Sequence, residues 1–588
     1  MCGIAGIVGP RLGSAEQHGI PAMIGALSQR GPDANGIARF AHCILAHTRL
    51  SIIDLATGQQ PMREPGAGLT ITFNGEIYNF TDVRAELERG GHTFSTRSDT
   101  EVILKAYMQW GENCVDRLDG MFAFAIWDEP NESLFLARDR FGKKPLYYTY
   151  DSDSNLVFAS EIKALAASGC IEKRLDRDAV DCYLRLMYVP PTKTIYDNVF
   201  VVRPGHTATY SGGILSTRRY WQIAAKRVRV TYDEAKEEVR RLLAKAVASR
   251  MIADVEIGAL LSGGVDSTLV TQLAQSEATR PIKTFSVGYG DHINELPYSQ
   301  AAAEKLGTDH HILQVGGPTL PDALIKVSQY FDEPHADSSN VAQCLVSQFA
   351  STRVKVALCG DGGDEVFLGY DWYWRHWSRG RLEQWRRRIL SSPYKDYITG
   401  LQVFDADARA AVWGSAPPSG RSNTAIAPAV VFGDVEAINR FDLEVYLPGQ
   451  LLVKADRASM MHSLELRSPL LDIALAEFVF SLPTSYKTDR TKGKLLLKDL
   501  LGEVMPDSFV NRTKQGFGAP VRTWLTTICH EMVHDLLGAP SAAIYSFLDR
   551  KAVQALIKEF YDGMPRRYMQ VWTLLCLELW CTHHRPAG

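Results

Sequence analysis

The sequence predicts two domains of different architecture: a strand-rich α+β domain of two packed sheets covered by helices over residues 1–214, then an α/β domain with a doubly wound parallel sheet over residues 215–588. Three observations carry this. A chain of 588 residues is too long for one hydrophobic core. Its first third reads as short apolar or alternating strands with few helices between them. After Thr231 amphipathic helices separate short apolar strands, the layout of a parallel sheet whose ligands sit at the carboxyl ends of its strands.

Composition is that of an ordinary soluble globular protein, and a formal net charge of −3 leaves no electrostatic footprint for nucleic acid or an anionic membrane. No apolar run approaches a membrane span, and the N-terminus lacks the basic-then-apolar layout of a signal peptide. The cytoplasm is the expected compartment. The ten cysteines form no CxxC pair, so mostly buried thiols are expected and a zinc site is not.

The chain opens Met1-Cys2-Gly3-Ile4-Ala5-Gly6-Ile7-Val8-Gly9, an apolar stretch with small glycines that reads as a buried strand. If Met1 is removed, Cys2 carries a thiol and a free α-amino group on one backbone. That is a nucleophile with its own base, because an α-amino group titrates near neutrality. An ordinary cysteine near a chain end is the competing reading of this stretch. Residues 28–33 read as a helix end and turn. The strand at 45–54 carries Arg49 in its middle, a charge that needs either a structural carboxylate or a substrate's. Residues 69–79 alternate as a strand and are expected to turn at Asn74-Gly75, a hairpin signal; alternatively the Asn74 side-chain amide and the Gly75 N–H form an oxyanion hole. At 97–101 a helix opens, capped by Ser98 or Asp99, and Asp99 is equally suited to receive an ammonium group. Residues 118–128 and 134–139 read as a hairpin of core strands, with further short strands at 141–148 and 158–163.

As a set, the MCGIAG opening and the HTRLSIIDL, FNGEIYN and SDTE segments resemble the glutaminase domain of the N-terminal-nucleophile amidotransferases. The resemblance implies a four-layer αββα sandwich. It also implies that Cys2 attacks the side-chain amide of glutamine, Asn74 and Gly75 stabilise the oxyanion, Arg49 holds the α-carboxylate, and Glu76 and Asp99 hold the α-amino group. A thioester and ammonia follow.

The strand pattern ends in a glycine turn at 210–215, which sets the expected boundary near residue 215. Residues 231–250 read as a helix with Ala235, Val239, Leu242, Leu243, Ala246 and Val247 on one stripe. Next come a short strand at 256–261, the loop Ser262-Gly263-Gly264-Val265-Asp266-Ser267 and a helix at 268–274. A glycine-rich loop between strand and helix leaves backbone N–H groups free at the positive end of the helix, an anion site, although a plain turn of small residues reads the same way. Further strands are expected at 284–288, 311–315 and 354–358, the last running into Cys359-Gly360-Asp361-Gly362-Gly363-Asp364-Glu365. Three acids in a glycine loop repel one another unless a cation binds; the alternative is a solvated acidic loop.

SGGVDS with GDGGDE resembles the pyrophosphate-loop ATPases, and specifically the synthetase domain of glutamine-hydrolysing asparagine synthetases; the segments at 446–448, 451–460, 464–472 and 512–517 fit the same family. The resemblance implies ATP as a substrate and Mg²⁺ as a cofactor. By it, Ser262, Gly263, Gly264, Asp266 and Ser267 cradle the pyrophosphate, and Leu260, Val287, Cys359 and Gly360 line the adenosine site. Asp266 and Asp364 bind Mg²⁺, Lys514 neutralises phosphate charge, and Asp361 acts at the acyl-adenylate or on incoming ammonia. ATP would convert a carboxylate into an acyl-adenylate, and ammonia from the first domain would displace AMP after crossing a buried inter-domain passage. The implied partners are small molecules: glutamine, ATP and a carboxylate acceptor, with a homodimer compatible with the resemblance. Two departures bear on the acceptor. Asp361 stands where better-understood members carry glutamate, and the segment at 331–340 lacks the threonine and arginine found there. Aspartate is the leading acceptor, and a uronic acid or peptide carboxylate the alternative. Intact SGGVDS, Asp364 and Lys514 argue against a plain glutamine hydrolase, and intact Cys2, Arg49, Asn74 and Asp99 against a cyclising synthetase with a dead first domain.

Overall fold

Ile4 and Val8 on strand β1 (Gly3–Val8) enter one apolar layer, and Ala5 and Ile7 enter the opposite one. A strand buried on both faces needs a layer above and a layer below. The computed structural model, which describes residues 1–586 apart from 13–18, 65, 225, 289–294, 317–318, 378–392, 415–417, 421–433, 490 and 513–519, supplies both.

Strands β1, β2 (Ala34–Arg39), β3 (Cys43–Arg49), β8 (Tyr147–Tyr150), β9 (Leu156–Ala159) and β10 (Phe200–Val201) form one antiparallel sheet in the order β10-β8-β9-β1-β3-β2. A second antiparallel sheet, β12-β11-β7-β6-β5-β4, is built from β4 (Met62–Glu64), β5 (Leu69–Ile77), β6 (Gly120–Asp128), β7 (Ser133–Arg138), β11 (His206–Ser211) and β12 (Ile214–Arg219). Ile4, Leu45 and Phe158 of the first meet Ala125, Trp127 and Leu136 of the second between the sheets. Helices α1 (Ile20–Leu27), α4 (Ile162–Ala167) and α5 (Arg177–Leu186) cover the outer face of the first sheet; α2 (Phe80–Arg89) and α3 (Asp99–Trp110) cover that of the second. The result is the four-layer αββα sandwich.

Three expectations change here. Asn74 and Gly75 do not turn the chain: β5 runs straight through them, pairing Asn74 with Ala123 and Gly75 with Phe122. Glycine is required for a different reason, since a Cβ at Gly75 would lie 2.0 Å from the Met121 carbonyl oxygen of the adjacent strand and the backbone φ is +155°. Residues 141–146 form a turn, and the strand there begins only at Tyr147. The Gly212-Gly213 turn is a hairpin rather than a domain end, because β12 returns to pair with β11 and carries the sheet to Arg219, past the expected boundary. At the start of α3 the cap is Ser98, whose hydroxyl accepts from the Thr100 N–H, which leaves the Asp99 carboxylate on the first turn to face inward.

In the second domain α6 (Tyr232–Arg250) buries the stripe read from its sequence and is closed by a Thr231–Glu234 capping box. Five parallel strands follow in the order β15-β14-β13-β16-β17: β13 (Ile257–Leu260), β14 (Lys283–Gly288), β15 (Asp309–Gln314), β16 (Val356–Leu358) and β17 (Glu465–Arg467). The chain builds outward from β13 through β14 to β15, then returns to the other side of β13 with β16. This reversal puts a switch-point crevice between β13 and β16, where open α/β sheets bind ligands.

The domains share a buried apolar patch of Met1, Leu50, Ile52, Tyr78 and Met121 against Val356 and Met460. No disulfide joins any of the ten cysteines, nine of which are buried. Among the described residues no helix is long and apolar enough to cross a membrane. Ser98→Ala is expected to cost about 1 kcal/mol of first-domain stability, the loss of one buried helix cap, measured by chemical denaturation.

Candidate active sites

Cys2 lies one residue before the Gly3–Thr48 pair, at the head of β1, and its thiol is 4.0 Å from the Leu50 carbonyl oxygen. Burial pushes that thiol's pKa up, against the pull of the nearby chain-terminal ammonium. The Cys2 backbone N–H donates to Asn74 Oδ1 at 3.1 Å. This fixes the amide so that Asn74 Nδ2, fully buried, points away without a hydrogen-bond partner among the described residues. A buried N–H donor left open is costly, and a ligand oxygen is what it lacks.

The Arg49 guanidinium donates to the carbonyls of Ile53, Asp54 and Leu55, and pairs with no carboxylate among the described residues. Its charge is held by dipoles and stays available to an anion. Asp99 Oδ2 accepts the Ile77 N–H at 3.0 Å, and burial raises its pKa to about 6. Two residues of the second domain complete this cluster, and sequence reasoning missed both roles. Glu465 Oε2 lies 3.4 Å from the Met1 ammonium. Arg467 binds Glu465 through Nε at 2.7 Å and reaches Glu76 with Nη2 at 3.4 Å. Burial opposes the Glu465 charge, but Arg467, the terminal ammonium and Lys144 outweigh it and lower its pKa, whereas burial and the Glu465 charge push Glu76 well up. These contacts span the chain, so no local pattern announces them.

The second cluster sits in the switch-point crevice. The loop after β13 is stitched by its own hydroxyls, with Ser262 Oγ and Ser267 Oγ 3.0 Å apart and the Ser262 N–H donating to Ser267 Oγ. Gly263 has φ +70°, and a Cβ on it would lie 2.6 Å from the backbone of Tyr298 and Ser299. Asp266 occupies the first turn of α7 (Val265–Glu277). The acidic loop after β16 locks into it: a Cβ on Gly363 would lie 2.5 Å from Asp266 Cγ, and one on Gly360 would lie 2.9 Å from the Ser267 nitrogen. Leu260, Val287 and Cys359, at the carboxyl ends of three adjacent strands, share one apolar cluster. Asp361 accepts the Cys359 S–H at 3.1 Å, and burial raises its pKa despite that bond and nearby Lys454.

Asp266 and Asp364 converge on one cation, the Lys494 ammonium, which bonds Asp266 and lies 2.8 Å from Asp364. Lys494 was not singled out by sequence, where it is one of several lysines in a basic stretch. Lys514 lies outside the described residues. Its neighbour Arg512 donates to the Gly263 carbonyl at 3.1 Å, so that basic segment begins against the glycine loop. Two carboxylates that meet at one point are a hard oxygen donor set and fit a divalent cation as well as an ammonium.

The segment from Phe331 to Asn340 presents no arginine, and its cation comes from another helix. Lys454 donates to Asp337 at 3.1 Å and to Ser339 Oγ at 2.8 Å. His335 is held neutral, its pKa brought down to about 4 by burial. Burial raises Glu333 to about 8 although its carboxylate accepts the Ile195 N–H at 2.8 Å.

Two family models match the chain: a glutamine amidotransferase domain over residues 1–221 and asparagine synthase over residues 238–582. Fold and sites thus define a glutamine amidotransferase domain joined to a synthase domain. The chain is 31% identical to asparagine synthetase [glutamine-hydrolyzing] 1 of Bacillus subtilis, over 99% of this chain and 96% of that one. It is 32% identical to a putative asparagine synthetase [glutamine-hydrolyzing] of Mycobacterium tuberculosis, over 99% and 97%, and 27% identical to amidase chry2 of Gibberella zeae, over 94% of each. The chain belongs to the asparagine synthase family.

Arg467→Met removes the cation that Glu465 and Glu76 share, leaving Glu465 to the terminal ammonium and Lys144, and is expected to cost about 3–5 kcal/mol at pH 7 by chemical denaturation. The loss should shrink on acidification, because protonation removes the charges that Arg467 neutralises.

Proposed function

We propose that the chain is a glutamine-dependent amide ligase that makes an acyl-adenylate from ATP and a carboxylate and amidates it with ammonia released at Cys2. Aspartate is the leading acceptor, in keeping with relatives named as glutamine-hydrolysing asparagine synthetases, and would give asparagine, glutamate, AMP and pyrophosphate. The observation that carries this reading is the strand pair β16–β17. At its start Val356 shares one apolar cluster with Leu50 and Met121 of the first domain, and Glu465 pairs with Arg467, which reaches Glu76. At its end Cys359 and Asp361 enter the crevice, with Ser468 Oγ 3.3 Å from Cys359 Sγ. From Val356 to Asp361 the extended chain covers about 17 Å, so one pair of strands touches both sites.

With Met1 removed, the Cys2 α-amino group takes the thiol proton and the sulfur attacks the glutamine amide carbon. Asn74 Nδ2 and the Gly75 N–H receive the developing oxyanion. Arg49 takes the glutamine carboxylate, and Asp99 with Glu76 takes its ammonium. The thioester that forms is hydrolysed, and ammonia moves along the apolar patch between Met121, Val356 and Met460, where little water competes to protonate it. In the second domain the loop from Ser262 to Ser267 positions the pyrophosphate, and Leu260, Val287, Cys359 and Gly360 position the adenosine. Asp266 and Asp364 would hold Mg²⁺, which neutralises phosphate charge when bound. Lys494 belongs to this group by its place between the two carboxylates, and Lys514 by its motif. Asp361 lies where the acyl-adenylate meets ammonia. The first domain, with its sheet ending at Arg219, carries the glutaminase half; small polar substrates and thiols outside disulfides suit the reducing cytoplasm. The lack of an arginine at 331–340, with Lys454 already on Asp337, favours a second reading in which the same chemistry amidates a uronic acid or peptide carboxylate.

Pyrophosphate release measured across carboxylates, with ammonium and then with glutamine, tests the assignment. Cys2→Ala should abolish the glutamine reaction and retain the ammonium reaction; a glutamine reaction that survives removes Cys2 as nucleophile. A strong response to another acid with none to aspartate selects the second reading. The carboxylate of Asp99 must be ionised to receive an ammonium, so kcat/KM for glutamine should fall by a further factor of about ten per pH unit below about pH 6, beyond the loss from protonating the Cys2 α-amino group, while the ammonium reaction, expressed per unit of free NH3, shows no such limb.

A further inference from the structure

A cavity of about 270 Å³ opens on the seam between the outer helices of the first domain and the last helix, Tyr568–His584. Ile162, Lys163 and Ala166 of α4, with Lys173 and Tyr196, form its first-domain wall; Asp332 and His584 close it from the second domain. Its volume is that of about nine water molecules in the liquid. No residue given a role in either reaction lines it.

The charges around the cavity are balanced except for one. The Lys163 ammonium lies 2.9 Å from Glu161, donates to the Tyr330 carbonyl at 2.9 Å and stands over the Tyr330 ring. Asp332 accepts the Ile162 and Lys163 N–H groups at 3.0 and 3.1 Å and pairs with Arg457 at 3.1 Å. His584 is held neutral, its pKa brought down to about 4 by burial, with Nε2 3.2 Å from the Ser328 carbonyl. Lys173 is the exception. Its Nζ donates to the His584 carbonyl at 3.0 Å and meets no carboxylate among the described residues.

Tyr196 supplies a second, independent sign. It is 3% exposed, its ring lies 6.0 Å from that of Trp580, and its hydroxyl makes no hydrogen bond among the described residues. A buried hydroxyl without a partner is costly, and an acceptor in the cavity would supply one. Ile162 and Ala166 offer only hydrocarbon. One unbalanced cation, one open hydroxyl and an apolar wall complement a compact organic anion of single charge. A phosphate dianion would bring a second charge that nothing here answers, and no hydrocarbon for the wall.

We propose that this cavity binds a small monocarboxylate, paired with the Lys173 ammonium, accepting from the Tyr196 hydroxyl and resting its hydrocarbon end on Ile162 and Ala166. The site stands apart from both reaction clusters and does not depend on the amide-ligase reading. Residues of both domains line it, so an occupant that binds only the folded chain fastens the last helix to the first domain and raises stability by mass action.

Butyrate is the probe, titrated calorimetrically into the full-length protein at low salt, where the attraction of a lysine is least screened. One equivalent should bind with Kd of about 1 mM or below, and the melting temperature should rise with butyrate concentration. Butyramide, of the same shape but uncharged, should bind at least about tenfold more weakly to the unsubstituted protein. Tyr196→Phe removes a hydroxyl that no protein group uses, so it should leave the ligand-free melting temperature in place and weaken butyrate about tenfold. Lys173→Met should weaken it at least as much, and Ala166→Phe should fill the cavity and abolish binding. No saturable binding of butyrate overturns the proposal, as does affinity unmoved by Tyr196→Phe and Lys173→Met, which places butyrate elsewhere. Butyramide bound as tightly as butyrate overturns the role of charge, and inorganic phosphate bound more tightly at this cavity overturns the monocarboxylate.

Discussion

The structure depends on holding a chain end in the middle of a sheet. Chain termini usually fray, because few contacts offset their conformational entropy. Here β1 pairs with β3 on one side and β9 on the other, both of its faces are covered, and Ser160 Oγ accepts the Ile4 N–H at 3.0 Å. The glycines near Cys2 follow from this crowding: a Cβ on Gly3 would lie 2.6 Å from Thr48 Oγ1, and one on Gly6 would lie 2.5 Å from the Phe158 ring. An interior strand at the terminus places a thiol and its backbone with the precision that loops rarely reach.

Having buried the terminus, the fold must also bury charge, and it does so by sharing partners between domains. Arg467 of the second domain answers Glu76 of the first, and Asp456 answers Arg30. Arg457 reaches Glu161 across the same interface and Asp332 within its own domain. Removing one of these weakens the compensation of its partner in a medium that screens poorly, although Glu161 keeps Lys163 and Asp456 keeps Lys144. Part of each domain's charge balance therefore comes from the other. The cluster around Cys2 is accordingly an inter-domain construction, although every residue assigned to it from sequence lies in the first hundred residues.

What could be read from the sequence was whatever is written contiguously. The αββα and parallel-sheet architectures follow from alternation, helical stripes and glycine loops, which are local signals. Cys2, Asn74, Glu76, Asp99 and the two glycine-rich loops were legible as candidates because each lies inside a short segment. Lys494, Glu465, Arg467 and Arg30 were not, since their meaning comes from partners that the fold brings from far along the chain. The Asn74-Gly75 pair misled for a related reason. The glycine answers to a neighbouring strand, Met121 on β6, and a turn signal cannot show that.

The last helix, Tyr568–His584, turns the molecule into a clasp. It belongs to the second domain by sequence, yet it packs against α5 of the first, with the Tyr183 hydroxyl donating to the Thr573 carbonyl at 2.8 Å and Lys173 Nζ to that of His584 at 3.0 Å. The first domain is thus gripped on two sides, by the helix Leu452–Met460 near Cys2 and by the helix Tyr568–His584 at its outer helices. Any parting of the two domains would have to break both grips at once.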